Sequence, residues 1–549
     1  PATDQLLPAY SLTEGLTQTA MRRIFRAAVT RFTPALDEVF PEPFLQSKQL
    51  PSIHDALPQI HFPDNERLLA EARERFIYQE LLVLQLAMAF KRQRNLYHSN
   101  APALEASARI DARIRRLFPF PLTPGQQQAV AEIAADMARP HPMNRMLQGD
   151  VGSGKTVVAL YAVLLTVAHG RQAVMMAPTE VLARQHERTL GEFLRRSQVR
   201  VALLSGSLTG KQRQETLERI AAGEVDVVIG TQAIVASGAQ FHKLGLVVID
   251  EQHKFGVRQR ASLKQAGVSP HYLVMTATPI PRTVALSVFG DLEVTTLRDR
   301  PPGRQPLHTY FASEEHRTRW WKFVRGKLDE GRQAFVIAPL VEDVENDEAV
   351  TVEAIYENLA NGELEAYRLG LLHGRLTPAA KEEVMQKFHN GEVQVLVSTS
   401  VVEVGVDVPN ATLMAIEGAE RFGLAQLHQL RGRITRGKHP GYCTLFGNPQ
   451  TEESKRRLEA FCAVEDGFEL AELDFQLRGA GDFFGVRQSG LPPLRVADLT
   501  RDVETVHQAR RDAEQILTED PGLATPAWAK LRKQLLRRYG EALDLGDVG

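Results

Sequence analysis

The run from Gly149 to Thr156, Gly-Asp-Val-Gly-Ser-Gly-Lys-Thr, constrains this chain more than any other feature. It has the spacing of a phosphate-binding P-loop, follows the apolar pair Met146-Leu147 and precedes a helix-like run that begins at Val157. Glycines let the backbone N–H groups converge on a polyphosphate, and the start of a helix adds positive partial charge. Lys155 is expected to pair with the β- and γ-phosphates, and the Thr156 hydroxyl to bind Mg²⁺. The predicted nucleotide-binding residues of this loop are Gly149, Asp150, Val151, Gly152, Ser153, Gly154, Lys155 and Thr156.

An acidic pair after an apolar run supplies the partner that a P-loop requires. The strand-like run 246–249 is followed directly by Asp250 and Glu251. A nucleotide hydrolase needs a carboxylate that holds Mg²⁺ and a base that orients the attacking water. We therefore expect Asp250 to hold Mg²⁺ through water and Glu251 to polarise the water that attacks the phosphate.

Apolar runs of strand length alternate with helix-like stretches from about residue 118 onward, and this alternation occurs twice. Continuous apolar strands separated by helices are typical of a parallel sheet that is covered on both faces. The Pro-Pro-Gly segment after Arg300 predicts a boundary between two similar α/β units, which suggests a cleft between them. The predicted strands are 174–177, 225–229, 246–249 and 272–275 in the first unit, and 334–338, 393–398, 413–416 and 442–446 in the second.

Helical patterns flank the two α/β units. Residues 64–98 carry apolar residues at near-helical spacing and predict one long helix, whereas the Pro-rich residues 1–63 predict a linker with a few short helices. The last hundred residues are predicted to be mainly helical. We expect four parts: a linker and long helix left from an N-terminal domain (1–117), two α/β lobes (118–300 and 301–450) and a C-terminal domain (451–549).

Charge and composition limit the partners. The chain carries 65 Lys and Arg against 67 Asp and Glu, so any contact with nucleic acid must come from local basic patches. No run approaches the ~18 apolar residues that span a bilayer, so no membrane partner is expected. The two cysteines, Cys443 and Cys462, form no disulfide framework or metal spacing, and a reducing cytosol is the simplest setting.

A basic segment in the second unit could complete the nucleotide site. The run 426–437 places Arg433 and Arg436 three residues apart, on one face of a helix if the segment is helical. An arginine that faces the γ-phosphate across a cleft stabilises the charge that develops in phosphoryl transfer. Taken alone, the segment is also compatible with a solvated basic helix, which is the less favoured interpretation, and the P-loop and the acidic pair favour the finger interpretation further.

The order of these motifs resembles that of superfamily-two helicases and translocases. The matching segments are, in chain order, GDVGSGKT, APTEVLARQH, GTQAI, DEQH, TATP, STSVVEVGVDVPNA and QLHQLRGRITRG. Longer segments are similar to the RecG family of bacterial branched-DNA translocases, namely DEQHKFGVRQR, MTATPIPRTVALSVFGDL and LRGAGDFFGVRQSG. The similarity extends from about residue 8 to near the end of the chain.

The resemblance implies two RecA-like lobes that clamp ATP, followed by a helical domain that carries a translocation motif. In this family, a helical hairpin and loop in that domain convert lobe closure into movement along duplex DNA. Arg433 and Arg436 match the arginine-finger positions, and Gln126 matches the residue that reads the base. The other implied nucleotide contacts are Gly405, Asp407 and Gln429, and the implied translocation residues are Arg478, Arg487 and Gln488.

The sequence departs from the family pattern in three places. Thr435 stands between the two finger arginines where the family usually has glycine, and a β-branched residue there restricts the backbone. Lys254 replaces the usual arginine after the acidic motif, which would lose bidentate hydrogen bonding. No five-strand barrel pattern precedes residue 64, so we expect the family's N-terminal wedge domain, an OB fold, to be missing from this chain.

The motifs predict an ATP- and Mg²⁺-dependent motor, and the resemblance implies that it acts on double-stranded DNA at branched junctions. The resemblance further implies a cytoplasmic, nucleoid-associated protein, with a single-strand DNA-binding protein as a family-level partner. A transcription–repair coupling translocase is an alternative that shares the motor, and an RNA helicase is a weaker one. A nucleotide-gated DNA clamp with weak ATPase activity is the alternative from a different functional class.

Overall fold

The computed structural model describes residues 6–97, 100–206, 208–231, 233–250, 269–277, 292–299, 305–339, 352–399, 408–434, 438–478, 492, 494–499 and 501–540. The chain forms two compact units. We call residues 96–281 and 292–477 the two-sheet unit, and residues 1–95, 282–291 and 478–549 the helical unit. The two ends of the chain therefore belong to the same unit. The division into four parts stays a prediction.

The first sheet of the two-sheet unit has seven strands in the order β3-β4-β2-β5-β6-β1-β7. Every neighbouring pair is parallel, so the carboxyl ends of all strands lie at one edge. The strands are β1 (Asn144–Gly149), β2 (Gln172–Met176), β3 (Val201–Leu204), β4 (Val227–Gly230), β5 (Leu244–Asp250), β6 (His271–Thr276) and β7 (Glu293–Leu297). All four strands predicted for this unit are confirmed.

The second sheet has six parallel strands in the order β10-β11-β9-β12-β13-β8. The strands are β8 (Leu307–Ala312), β9 (Gln333–Ile337), β10 (Leu369–Leu372), β11 (Val395–Ser398), β12 (Ala411–Ile416) and β13 (Gly441–Phe446). The four predicted strands are again confirmed, and the fold is the expected pair of parallel α/β lobes. Edge strands such as β8, with an alternating burial pattern, have a weaker apolar signal and were not predicted.

Helices cover the two sheets. In the first lobe they are α5 (Ala108–Arg115), α6 (Pro124–Met137), α7 (Lys155–Ala168), α8 (Glu180–Leu194), α9 (Gly210–Ala221) and α10 (Ala233–Ala236). In the second lobe and after it they are α11 (Arg317–Asp329), α12 (Val352–Ala360), α13 (Pro378–His389), α14 (Leu424–Arg431), α15 (Glu452–Ala463) and α16 (Gly467–Arg478). The helix α7, which follows the P-loop, is buried without a break from Val157 to Thr166, as expected of a helix packed on all sides.

A buried glutamine performs the same structural task in each lobe. Gln172, at the start of β2, donates from its amide to the carbonyls of Ile220 and Val225 at 2.9 and 2.8 Å. Gln333, at the start of β9, donates to the carbonyls of Phe388 and Val393 at 2.6 and 2.8 Å. Both side chains satisfy carbonyls at the end of a helix and in the turn that follows it. The two lobes therefore share local detail as well as topology.

The helical unit is organised around one long helix. Its described helices are α1 (Gln18–Phe32), α2 (Glu42–Lys48), α3 (Ile53–His61), α4 (Glu66–Tyr97), α17 (Val503–Glu519) and α18 (Ala529–Tyr539). The prediction of one helix over residues 64–98 is confirmed by α4. The segment predicted as a linker contains α1, α2 and α3, which matches the expected short helices. Within the described residues, no helix combines the length and the apolar content needed to cross a membrane.

Polar side chains on the buried face of α4 hold the helical unit together. Tyr78 donates to Asp512 of α17 at 2.5 Å, and Gln79 donates to Gln534 of α18 at 2.8 Å. The Glu80 carboxylate accepts hydrogen bonds from the backbone N–H groups of residues 495–497 and from Arg538. Buried polar groups are costly unless they are paired, so each of these bonds fixes which segment lies against α4.

The hydrogen bonds that the Glu80 carboxylate accepts change the pKa of this group. Burial alone would raise its pKa, but hydrogen bonds from the N–H groups of residues 497, 496 and 495 and from Arg538 lower the pKa by more, and the net pKa is lowered. A lowered pKa in the folded state contributes stability that is complete above the ordinary glutamate pKa of 4.5. That contribution is lost as the pH falls through the folded-state value.

We predict that Glu80→Gln destabilises the helical unit by about 2 kcal/mol at neutral pH, because an amide supplies one oxygen acceptor where the carboxylate supplies two. The measurement is denaturant unfolding of the full chain from about pH 7 down through pH 4.5 and on below the folded-state pKa of Glu80. The difference from the wild type should shrink as the pH falls. Glu74→Gln, at an exposed position on the same helix, is the control and should change stability little. A pH-independent deficit in Glu80→Gln would contradict this account.

Candidate nucleotide site

The P-loop connects the end of β1 to the start of α7. Gly154 immediately precedes α7 and has φ +86°, a left-handed conformation that favours glycine. The Lys155 ammonium lies over the loop and donates to the carbonyls of Gly149 and Asp150 at 2.7 and 3.0 Å. Thr156 is the second residue of α7, so its hydroxyl is positioned at the helix start. The predicted strand–loop–helix context is confirmed.

The loop has the features expected of a phosphate cradle. Gly152 has φ +80°, and a Cβ atom placed there would meet no atom within 4 Å, so the loop is open on that side. The Ser153 hydroxyl is buried and has no hydrogen-bond partner among the described residues. A 14-residue helix also begins at this point, and its amino end favours an anion. The residues present therefore fit a polyphosphate.

Gln126 is buried beside the P-loop, and both ends of its amide are engaged. Its Nε2 donates to the Ser153 carbonyl at 3.0 Å, and its Oε1 accepts from the Thr123 N–H at 3.0 Å in the capping box of α6. An amide oxygen and an amide NH₂ can each make a second hydrogen bond, so this geometry is compatible with contact to a base. The expected role of Gln126 as base reader stays a prediction, and its visible role is to brace the loop.

Asp250 lies at the carboxyl end of β5, on the same edge as the P-loop. β5 and β1 are separated only by β6, which places the two strand ends roughly 10 Å apart. The Asp250 carboxylate pairs with His186 of α8, with Nε2 and Oδ2 2.9 Å apart. An ionised carboxylate only accepts, so His186 Nε2 carries the proton. His186 is the last residue of the segment APTEVLARQH, but it was not among the predicted site residues.

The second lobe contributes α14 and the single-turn helix Gly432–Ile434. Gln429 and Arg433, both predicted to face nucleotide, are buried there. His428 of α14 reaches the P-loop of the first lobe, with its Nε2 2.6 Å from Asp150 Oδ1. Gly432 also lies against the P-loop, since a Cβ atom placed on it would come within 2.8 Å of Val151. The structure thus brings the P-loop and the basic segment together, as predicted. The residue that joins them, His428, was not among the predicted site residues.

Several predicted residues lie outside the described part of the chain. They are Glu251, Gly405, Asp407, Arg436, Arg487 and Gln488. Thr435 and Lys254 lie outside it as well, and Arg478 is described only as the last residue of α16. The assignments of these residues stay predictions. Among the residues that are described, no cluster of three or more His, Cys, Asp or Glu could hold a metal ion.

Comparisons with protein families match the chain in three places. Residues 123–286 match the family described as DEAD/DEAH box helicase, and residues 318–438 match the helicase conserved C-terminal domain. Residues 464–544 match the family described as ATP-dependent DNA helicase RecG, domain 3, C-terminal. The first two matches coincide with the two lobes.

Curated relatives named ATP-dependent DNA helicase RecG are similar over nearly the whole chain. The protein of Bacillus subtilis is 43% identical over 96% of this chain and 78% of its own length. The Synechocystis protein is 42% identical over 98% of this chain, and the Thermotoga maritima protein 43% identical over 96%. The chain spans 64% and 67% of the lengths of these two proteins.

A solved structure supports the same relationship. The structure described as RecG bound to a three-way DNA junction superposes with a TM-score of 0.72 at 42% identity. The match covers 91% of this chain and 66% of the other. A DNA-bound DUF1998 helicase, MrfA, is 19% identical with a TM-score of 0.50, which bears on the fold alone.

We predict that His186→Ala lowers the turnover of ATP about tenfold, because Asp250 then loses the donor that orients its carboxylate. His186→Gln keeps an N–H donor and should recover part of the loss. Steady-state ATP hydrolysis by the full chain is the measurement, and His242→Ala, which replaces an exposed histidine of the same lobe, is the control. Turnover unchanged in His186→Ala would show that Asp250 needs no such support.

Proposed function

This chain belongs to the RecG family of ATP-dependent DNA helicases, and we propose that it is a motor that moves along double-stranded DNA at branched junctions. The observation that carries this proposal is the direct contact of the second lobe with the P-loop of the first, at Asp150 and Val151. A nucleotide bound at that loop would lie against both lobes. Its hydrolysis can therefore change how the lobes meet.

The proposed chemistry follows from the predicted site residues. Lys155 would exchange its two carbonyl partners for the β- and γ-phosphate oxygens, and Arg433 would approach the γ-phosphate from the second lobe. Glu251 would orient the attacking water and Arg436 would add a second positive charge. Thr156 and Asp250 would hold Mg²⁺, which neutralises phosphate charge when it is bound.

The DNA-facing part of the proposal rests on the translocation motif and on the relatives. Arg478, Arg487 and Gln488 are the proposed translocation residues. Since the net charge of the chain is −2, its affinity for DNA must come from local Lys and Arg contacts to phosphates. Such contacts carry no sequence information, so recognition is expected to depend on DNA shape rather than on base sequence. The relative bound to a three-way junction makes a fork the first substrate to test.

Further assignments belong to the same proposal. We place the protein in the cytoplasm, associated with the nucleoid, and a single-strand DNA-binding protein is a candidate partner. Regression of stalled forks, migration of Holliday junctions and removal of R-loops are the reactions that such a motor would perform in recombination and repair.

We predict that ATP hydrolysis is stimulated by a three-way fork and by linear duplex more than by single-stranded DNA. The measurement is steady-state hydrolysis with no DNA and with each of the three DNAs, at low and moderate salt. Stimulation should fall as the salt concentration rises, because phosphate contacts release counterions. Stimulation by single strands alone would instead favour a strand-tracking helicase. DNA binding without turnover would favour the nucleotide-gated clamp.

We further predict that Lys155→Ala abolishes DNA-stimulated hydrolysis, since the charge on the transferred phosphoryl group would lose its closest cation. Binding of a fork should persist in this variant, because Lys155 lies over the P-loop. Lys211→Ala is the matched control, as that lysine is exposed on α9. If fork-stimulated turnover survived in Lys155→Ala, the assignment of the nucleotide site would be wrong.

A further inference from the structure

The contact between His428 and Asp150 joins two lobes through residues 278 positions apart in the chain. His428 is 4% exposed. Its Nε2 lies 2.6 Å from Asp150 Oδ1, and the same oxygen accepts the N–H of Val151 at 2.7 Å. The carbonyl of Asp150 accepts from Lys155 at 3.0 Å. One P-loop residue therefore contacts the phosphate-binding lysine through its backbone and the opposite lobe through its side chain.

The protonation state of His428 follows from its second partner. Arg431 Nη2 lies 3.2 Å from His428 Nδ1. A guanidinium has donors only, so Nδ1 must accept and carries no proton. The ring proton is then on Nε2, where it is donated to the Asp150 carboxylate. Hydrogen-bond donation therefore runs in one direction. Arg431 donates to Nδ1 of the His428 ring, and Nε2 of the same ring donates to the Asp150 carboxylate.

The Arg431 guanidinium also donates hydrogen bonds to three backbone carbonyls. It is 1% exposed, and its Nη1 donates to the carbonyls of Phe461 and Val464, both at 2.9 Å. Its Nη2 also donates to the Glu465 carbonyl at 3.1 Å, and its guanidinium carbon lies 4.2 Å from the centre of the Phe461 ring. These carbonyls belong to the end of α15 and the turn after it. That turn leads into α16, and the chain then enters the predicted translocation motif.

We infer that Asp150, His428 and Arg431 form a relay that transmits the state of the P-loop to the segment 461–465. We call these three residues the P-loop relay, and His428 is its positioning residue. The inference rests on the proposed function, since it assumes that ATP hydrolysis drives movement along DNA.

The relay responds to nucleotide because Lys155 and Asp150 are linked. When Lys155 turns to phosphate oxygens, the Asp150 carbonyl loses one of its two donors and keeps the Ser153 N–H at 3.1 Å. The loop that carries the Asp150 carboxylate is then held by one hydrogen bond fewer, so its position can change. Since His428 and Arg431 are buried and each bonded at both ends, a shift at Asp150 either breaks the contact to His428 or moves α14. Close packing of Gly432 on Val151 leaves little room for any other response.

The test separates coupling from simple loss of folded protein. Both ATP hydrolysis on duplex DNA and translocation, read as displacement of a third strand from that duplex, are measured for each full-length variant. We expect His428→Ala to lower turnover at least about tenfold, the scale of one lost charge-assisted bond. We also expect fewer base pairs moved per ATP hydrolysed. A merely structural defect would lower both rates in parallel and leave that ratio unchanged.

Further variants retain or remove single hydrogen-bonding groups of the P-loop relay. His428→Gln retains a donor for Asp150 and an acceptor for Arg431, so it should recover most of the lost ratio. Asp150→Asn keeps the shared oxygen acceptor and should retain more activity than Asp150→Ala. The double variant Asp150→Ala with His428→Ala should be no worse than the more defective single variant, because both remove one interaction. His439→Ala, at an exposed position in the same lobe, is the control.

The outcomes are distinct. A ratio unchanged in His428→Ala, or losses that multiply in the double variant, would overturn the P-loop relay. A wild-type chain without DNA-stimulated hydrolysis would instead overturn the proposed function. If His428→Ala melts well below the wild type, the comparison of Asp150→Asn with Asp150→Ala decides, because those substitutions lie in the other lobe.

Discussion

Parallel strand pairing is the constraint on which the nucleotide site depends. In a parallel sheet every strand ends at the same edge, so the P-loop after β1 and Asp250 after β5 share that edge although about a hundred residues separate them. The buried helix α7 fixes the carboxyl-terminal end of the loop, and the amino end of this helix supplies positive partial charge. The second sheet repeats the arrangement and presents α14 to the first lobe.

Buried polar side chains add specificity to the apolar packing of this protein. Gln172 and Gln333 tie a helix end to a strand in each lobe, and Arg431 ties α14 to the end of α15. In the helical unit, Glu80 does the same for the backbone of residues 495–497. Apolar contacts are tolerant of small shifts, whereas an unpaired buried donor or acceptor costs about 1–3 kcal/mol. These groups therefore specify one arrangement among several that would bury similar area.

The sequence predicted most of the fold, but of the site it predicted only the residues that lie in recognisable motifs. Eight strands, the long helix α4 and the two-lobe architecture follow from apolar periodicity and from the alternation of strands with helices. The edge strand β8 was missed because alternate side chains of this strand are exposed, which weakens its apolar signal. The edge strand β10 was missed as well, although its leucines pack against the core. His186 and His428 were missed as functional residues because a histidine within an otherwise ordinary helix gives no local sign of its partner.

By itself, the sequence determined which residues to expect at the phosphate and the metal: residue type and short-range spacing in Gly-Asp-Val-Gly-Ser-Gly-Lys-Thr and in Asp-Glu after an apolar run predict these ligands. Each of these signals spans only a few residues, so local geometry suffices to interpret it. Tertiary structure alone decided that Asp150 meets His428, that Asp250 meets His186 and that Glu80 holds residues 495–497. Each of these contacts joins residues 64 or more positions apart, and only the folded chain brings such residues within hydrogen-bonding distance.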